Sequence, residues 1–312
     1  MTVTLDDIRQ ARARIAGALR HTPVVEAAPA REPLPGRVAL KLECLQVTGS
    51  FKPRGATNAL RSLDPAAAAR GLTTASGGNH GLAVAYVGWR AGLPTTIFLP
   101  ASVPAAKVAK IEQWGADVRV TGQVWDESNE AALAHAARSG QAYIHPFADP
   151  MVMAGQGTLG LELLEQVPDA ETLLVAIGGG GLAAGVATAV KAIRPGVRVV
   201  GIEPVGAPTL RESRRAGHLV TLPAITTEAG TLAPRRSAEA TFAAIQAHVD
   251  DIVLVDDPAM RAAARWLWSE HAIAAEMSGA AAVAALTTGA YRPRPDERVA
   301  VIVCGAGTDG IA

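Results

Sequence analysis

Residues 172–203 read TLLVAIGGGGLAAGVATAVKAIRPGVRVVGIE. The run 172–177 is apolar without polar alternation, four glycines follow, an alanine-rich stretch near 182–193 has helical character, and 197–203 is apolar again. A strand with no wet face needs cover on both sides, so this unit predicts parallel strands joined by a crossover helix. The pattern recurs outward. TTIFL (95–99), a helix near 104–115, DVRVT (117–121) and a helix near 126–139 precede it. DIVLV (251–255), two helical stretches and VAVIVC (299–304) follow. The fold class expected is α/β. Gly and Pro punctuate the pattern near Thr48–Pro53 and His145–Pro150, which suggests two α/β units.

The 312 residues suffice for well-buried cores, and 49% hydrophobic with 19% charged residues excludes wholesale disorder. Lys plus Arg and Asp plus Glu are 29 each, so no basic field exists to attract nucleic acid. Two cysteines, Cys44 and Cys304, without a C-x-x-C pair argue against a disulfide framework or structural zinc. The start, MTVTLDDIRQARARIAGAL, reads as an amphipathic helix with Thr4 as N-cap, not as a signal peptide. Apolar runs such as Leu182–Val190 are too short to span a membrane, and the expected location is cytoplasmic.

Gly178, Gly179, Gly180, Gly181, Leu182 and Ala183 fit G-x-G-x-x-A, with Glu203 twenty positions beyond Ala183. Consecutive amides at a helix start form a phosphate nest, for a single phosphate or a pyrophosphate, unless the loop is a plain tight turn. Gly305-Ala306-Gly307-Thr308-Asp309-Gly310 also fits G-x-G-x-x-G, but only two residues follow, so a nucleotide-binding role is not expected of it. It places Cys304 at a strand's carboxyl end. Ser76-Gly77-Gly78-Asn79-His80-Gly81 suits an anion at a helix start, although Ser76 could be a plain N-cap and His80 a structural histidine. In KLECLQVTGSFKPRGA (41–56), Thr48–Ser50 make a turn and Pro53 biases Lys52 toward an extended backbone, with a helix from Arg54 to Leu63. Beside Phe51 and small residues, Lys52 is either a desolvated amine nucleophile or a solvated surface lysine.

The 41–56 segment resembles the Schiff-base segment of fold-type-II pyridoxal-phosphate enzymes (tryptophan synthase β-like), specifically the threonine/serine dehydratases. The likeness continues through SGGNHG (76–81), HPFADP (145–150), AGQGTLGLELL (154–164), GGGGL (178–182) and GIEP (201–204), in the family's order. It implies two open, twisted, mostly parallel sheets with flanking helices and an active site between domains, residues 1–52 with 146–312 forming the large cofactor domain and 53–145 the small substrate domain. It also implies pyridoxal 5'-phosphate as cofactor, an amino-acid substrate and a homodimer. Lys52 would carry the cofactor as a Schiff base and remove the Cα proton. Gly178, Gly179, Gly180, Gly181 and Leu182 would hold the phosphate, Asn79 the ring hydroxyl, and Phe51 would pack on the ring. Ser76, Gly77, Asn79 and His80 would bind the substrate carboxylate. Cys304 would stand by the pyridine nitrogen as a weak, neutral donor, unless it is a buried structural cysteine. The implied reaction is dehydration and deamination of L-threonine, L-serine or both to a 2-oxo acid and ammonia.

Departures from the family pattern bear on that reading. Gly77 stands where related serine racemases carry a second serine as base, so elimination is expected over racemisation. Some relatives bind a divalent cation at the places of Glu203, Ala207 and Thr209; with one carboxylate, no metal site is expected here, and Glu203 is read as a solvated strand-end acid. Gly230 replaces a common aspartate and Gly307 a common asparagine. Rival readings are a dehydratase for another 3-hydroxy amino acid, a racemase-like enzyme, a silent cofactor-binding homologue, and a nicotinamide-linked dehydrogenase using the Gly178 loop and Glu203.

Overall fold

The computed structural model describes residues 3–29 and 31–307. Two sheets organise it. The larger contains β1 (Val24–Glu26), β2 (Arg37–Leu42), β7 (Thr172–Ala176), β8 (Arg198–Pro204), β9 (Asp251–Val255) and β10 (Arg298–Val303), in the order β1-β2-β10-β7-β8-β9. Only β1 runs antiparallel to its neighbour. The smaller sheet, β5-β4-β3-β6, is wholly parallel and uses β3 (Leu72–Ala75), β4 (Thr95–Leu99), β5 (Asp117–Val120) and β6 (Ala142–Tyr143). The larger sheet thus takes its strands from 24–42 and 172–303, the smaller from 72–143. The α/β class and the two mostly parallel sheets are as expected.

The central strands β3, β4, β7 and β10 are buried along their whole length, which is why their sequences lack alternation. Helix Leu5–Ile15 begins with the expected Thr4 cap, completed by Asp7 into a capping box. The Lys52 segment departs from expectation: Lys52 is the first residue of helix Lys52–Arg61, not an extended residue before it. Pro53 falls in the first helical turn, where its missing N–H has no acceptor to lose, so the helix tolerates it.

Helices Pro150–Gln166 and Gly181–Ile193 cross through small residues. A Cβ on Gly185 would strike the Met153 carbonyl and stand 2.7 Å from the Gly157 nitrogen. Both are backbone atoms and cannot step aside. Gly185→Ala is expected to destabilise the protein by about 3 kcal/mol, read as a lower urea midpoint at unchanged slope. An unchanged midpoint would mean the crossing is not close-packed.

Candidate functional site

β2 and β10 are parallel neighbours with Leu42 opposite Val303, so residues 43–51 and 304–306 leave the sheet side by side. Backbone bonds join them: Phe51 N donates to Cys304 O (3.2 Å), Ala306 N to Gly49 O (2.8 Å), and Ser50 bridges Gly305. Thr48 is held at φ 67°, a left-handed conformation that β-branched residues rarely adopt. Strain of about 1–3 kcal/mol is the usual cost, and it tends to gather at functional sites.

This loop sets Lys52. Its Nζ donates to Pro146 O at 2.8 Å and lies 5.2 Å from the Phe51 ring centroid. Burial lowers its pKa to about 8, and the neighbouring Cys304 and Glu276 side chains oppose that shift. About a tenth of such amines are unprotonated at pH 7, against roughly one in 2,500 for a solvated lysine. His80 and His145 are likewise pushed down, first by burial and then by the Lys52 cation, His145 to about 4. Both are neutral at pH 7.

The tetraglycine loop follows β7. Gly180 takes φ 90° and caps helix Gly181–Ile193. Its neighbours are glycine because protein atoms crowd them: a Cβ on Gly179 would strike the Phe147 ring, one on Gly181 would stand 2.8 Å from Phe147 O, and one on Gly178 2.7 Å from Thr231 O. Phe147 directly follows Pro146, so one short segment holds the Lys52 amine and packs on the glycine loop. The amides of Gly178, Gly179 and Gly180 find no acceptor among the described residues. Leu182 adds an amide of the helix's first turn, which has no intrahelical acceptor.

The third loop leaves β3. Gly78, not Ser76, is the N-cap of helix Asn79–Ala91; Ser76 lies two residues earlier, and its Oγ accepts instead from Gly78 N at 3.3 Å. Asn79 Nδ2 donates to Glu276 Oε1 at 2.6 Å, while Asn79 Oδ1 is buried without a partner among the described residues. His80 Nε2 faces Ile144 O at 3.0 Å, which places its proton there and leaves on Nδ1 a buried lone pair with no partner among the described residues. Gly77 lies under the two methyl groups of Val103, which a Cβ would strike. Cys304 is buried with its thiol pushed up, so it stays neutral, and Sγ lies 3.6 Å from Ser278 O.

Glu203 is a correction. It is fully buried rather than solvated, because helix Thr209–Ala216 folds back over it and its two oxygens accept from the amides of Leu210 and Arg211, each at 2.8 Å. Thr209 Oγ1 donates to Pro234 O, and Ala207 is buried. Among the described residues no cluster of three His, Cys, Asp or Glu could hold a metal ion. A Cβ on Gly230 would meet nothing within 4 Å, and Gly307 has φ 88°. Thr308, Asp309 and Gly310 lie outside the described residues.

Three contributors to this site had escaped the sequence reading: the Pro146 carbonyl, His145 and Glu276. His145 lay within the HPFADP stretch; its Nδ1 accepts from Phe147 N (3.2 Å) and Ala148 N (2.9 Å), shaping the turn under Lys52. Glu276 had no signal, since it lies 197 positions from Asn79.

A family model described as "Pyridoxal-phosphate dependent enzyme" matches residues 15–305. An L-threonine ammonia-lyase of Thermotoga maritima is 36% identical over 307 residues, 98% of this chain and 76% of that protein. A serine racemase of Oryza sativa subsp. indica is also 36% identical, over 310 residues, 98% of this chain and 91% of that protein. The crystal structure of a T.th. threonine deaminase superposes with a TM-score of 0.91 at 36% identity, covering 97% of this chain and 98% of that one.

The residues present fit the phosphorylated aldehyde cofactor that this family uses. An aldehyde needs an amine that is partly unprotonated at neutral pH, and Lys52 is one. A phosphate needs unpaired amides at a helix start, and the glycine loop has them. Ser50 Oγ, Asn79 Oδ1 and His80 Nδ1 are buried without partners among the described residues. Buried polar atoms are rarely left so unless something else bonds them.

Proposed function

We propose, proceeding from the family of pyridoxal-phosphate-dependent enzymes to which this chain belongs, that it eliminates water from L-threonine, L-serine or both, giving a 2-oxo acid and ammonia. The observation that carries this reading is the Lys52 amine, depressed by burial and held on Pro146 O next to the residue that packs on the glycine loop. When bound, the cofactor supplies the electron sink for Cα carbanion character. The protein's own groups do the rest. Lys52 would hold the cofactor through its amine and, once the substrate amine has displaced it, would be the base for the Cα proton. The amides of Gly178–Leu182 would hold the phosphate, Phe51 would pack on the ring, and Asn79 would bond its hydroxyl. Cys304 would stand by the ring nitrogen as a neutral thiol, which would not drive that nitrogen's protonation and so would favour rapid loss of the β-hydroxyl. Ser76 Oγ and the backbone amides of Gly77, Asn79 and His80 would hold the substrate carboxylate. In this reading residues 1–52 with 146–312 bind the cofactor, 53–145 bind the substrate, and the enzyme works as a cytoplasmic homodimer. No helix among the described residues is long and apolar enough to cross a membrane.

The test is the production of ammonia and 2-oxo acid from serine, threonine and bulkier 3-hydroxy amino acids; no turnover of any would leave a silent cofactor-binding protein. The panel includes bulkier substrates because a side chain at Gly230 would meet open space. The racemase reading is the main rival, and Gly77 speaks against it. Residue 77 has no hydroxyl, and Val103 fills the space one would need. Gly77→Ser alone is expected to destabilise by about 1–3 kcal/mol through overpacking and to produce no D-serine from L-serine. Adding Val103→Ala should restore the stability. D-Serine accumulating in the unmodified enzyme would overturn the preference for elimination.

A further inference from the structure

We propose that Glu276 is a positioning residue: it clamps the Asn79 amide and sets the electrostatic surroundings of the nitrogen on Lys52. The inference rests on the cofactor reading above. Glu276 precedes helix Met277–Thr287 and makes no side-chain cap bond to it. Its carboxylate instead turns to Asn79, with Asn79 Nδ2 on Oε1 at 2.6 Å. The loop after β10 fixes it from both ends. Glu276 N donates to Gly305 O at 3.1 Å, and Gly305 lacks a side chain where one would stand 2.7 Å from Oε1 and 3.3 Å from Asn79 Nδ2. Gly305 therefore lets the carboxylate and the amide meet directly over the backbone that also bridges Ser50, two residues from Lys52.

A carboxylate only accepts hydrogen bonds, so it commits one N–H of the Asn79 amide and fixes the amide plane. The buried Oδ1 is then held in one direction rather than free to exchange places with Nδ2. Rotation of Asn79 would leave two acceptors face to face, an arrangement that costs free energy when partly buried.

The second effect is charge. Among the described residues, the titratable groups acting on Lys52 are Cys304, Glu276, His80 and His145. His80 and His145 are held neutral and Cys304 is pushed toward the thiol, so Glu276 is the anion among them. It favours the protonated nitrogen, against the burial that disfavours it.

The experiment is an absorbance titration against pH of the substrate-free holoenzyme, with cofactor affinity measured alongside by adding pyridoxal phosphate to the apoprotein. Glu276→Gln keeps the shape and a hydrogen bond to Asn79 but removes the charge. The midpoint of the cofactor band should move down by about one pH unit, with cofactor affinity within about threefold of the unmodified protein. Glu276→Ala also frees Asn79, and affinity should fall about tenfold, the equivalent of one lost charge-assisted hydrogen bond. A role confined to stability would lower the urea midpoint and leave the titration in place. A Glu276→Gln midpoint equal to that of the unmodified protein overturns the inference. Absence of any cofactor band in the unmodified protein would instead sink the functional reading itself.

Discussion

Lys52→Ala is expected to lower kcat/KM by about 10⁴-fold or more, because one side chain supplies both the amine that condenses with the cofactor and the base for the Cα proton. The cofactor should still bind through the glycine loop, since its amides belong to a different segment. Borohydride treatment should then leave no label on the variant, whereas in the unmodified protein the label should be on Lys52. The pH dependence has a definite sign. Burial lowers the amine to about 8, so the rate at which apoprotein takes up pyridoxal phosphate should rise with pH and level off above about 8. A solvated lysine would still be rising near 10. Lys52→Arg should behave like Lys52→Ala, because a guanidinium does not deprotonate in this range and cannot condense. A Lys52→Ala enzyme retaining a tenth of its activity, or a label on another lysine, would remove Lys52 from the centre of the mechanism.

The sequence made the parallel core legible for a physical reason. Strands such as β7 and β10 are covered on both faces, so they spell unbroken apolar runs, and their helices follow at crossover distance. β1 and β6 were not visible, since three and two residues carry no period and owe their existence to the strands beside them. The loops bearing Gly178 and Asn79 were legible as helix starts. What they meet was not. Nothing in the residues around Asn79 announces a carboxylate 197 positions away, and nothing near Gly77 announces Val103. Glu203 shows the same limit in reverse. An acid at a strand end reads as solvated until a following helix brings two amides onto it. The local error at Lys52 has a local cause. The preference of a residue before proline for extended backbone is real, but the Lys52–Arg61 helix packs on Pro150–Gln166 and keeps Lys52 in its first turn.

That packing rests on a buried charge network, and Arg54→Met should cost about 3–5 kcal/mol of stability. Arg54, two residues after Lys52, is almost wholly buried; its Nε and Nη2 grip Glu43 at 2.8 and 2.7 Å, and Nη2 also reaches Glu162 at 2.9 Å. Lys41 is fully enclosed and donates to Thr22 O, Glu162 and Gln166. Two cations and two carboxylates thus balance, and their hydrogen bonds join β2, the Lys52 helix and helix Pro150–Gln166. Removing the guanidinium leaves Glu43 and Glu162 sharing one buried cation, and the uncompensated charge, more than the lost bonds, sets the magnitude. Arg54→Met combined with Glu43→Gln should therefore recover more than half of the loss, because it restores neutrality with Lys41 and Glu162 still paired. The acid limb adds a check. Burial would raise the Glu162 carboxyl, yet Arg54 and Lys41 hold it below its usual value. Its contribution is present above the ordinary carboxylate pKa and is lost as the pH falls through the depressed one, so the stability of Arg54→Met should fall less steeply with acid. Urea midpoints at pH 7 and at pH 4 measure both effects. A cost under about 1 kcal/mol, the size of a surface pair, would show that hydrophobic packing alone holds the lysine-bearing helix in place.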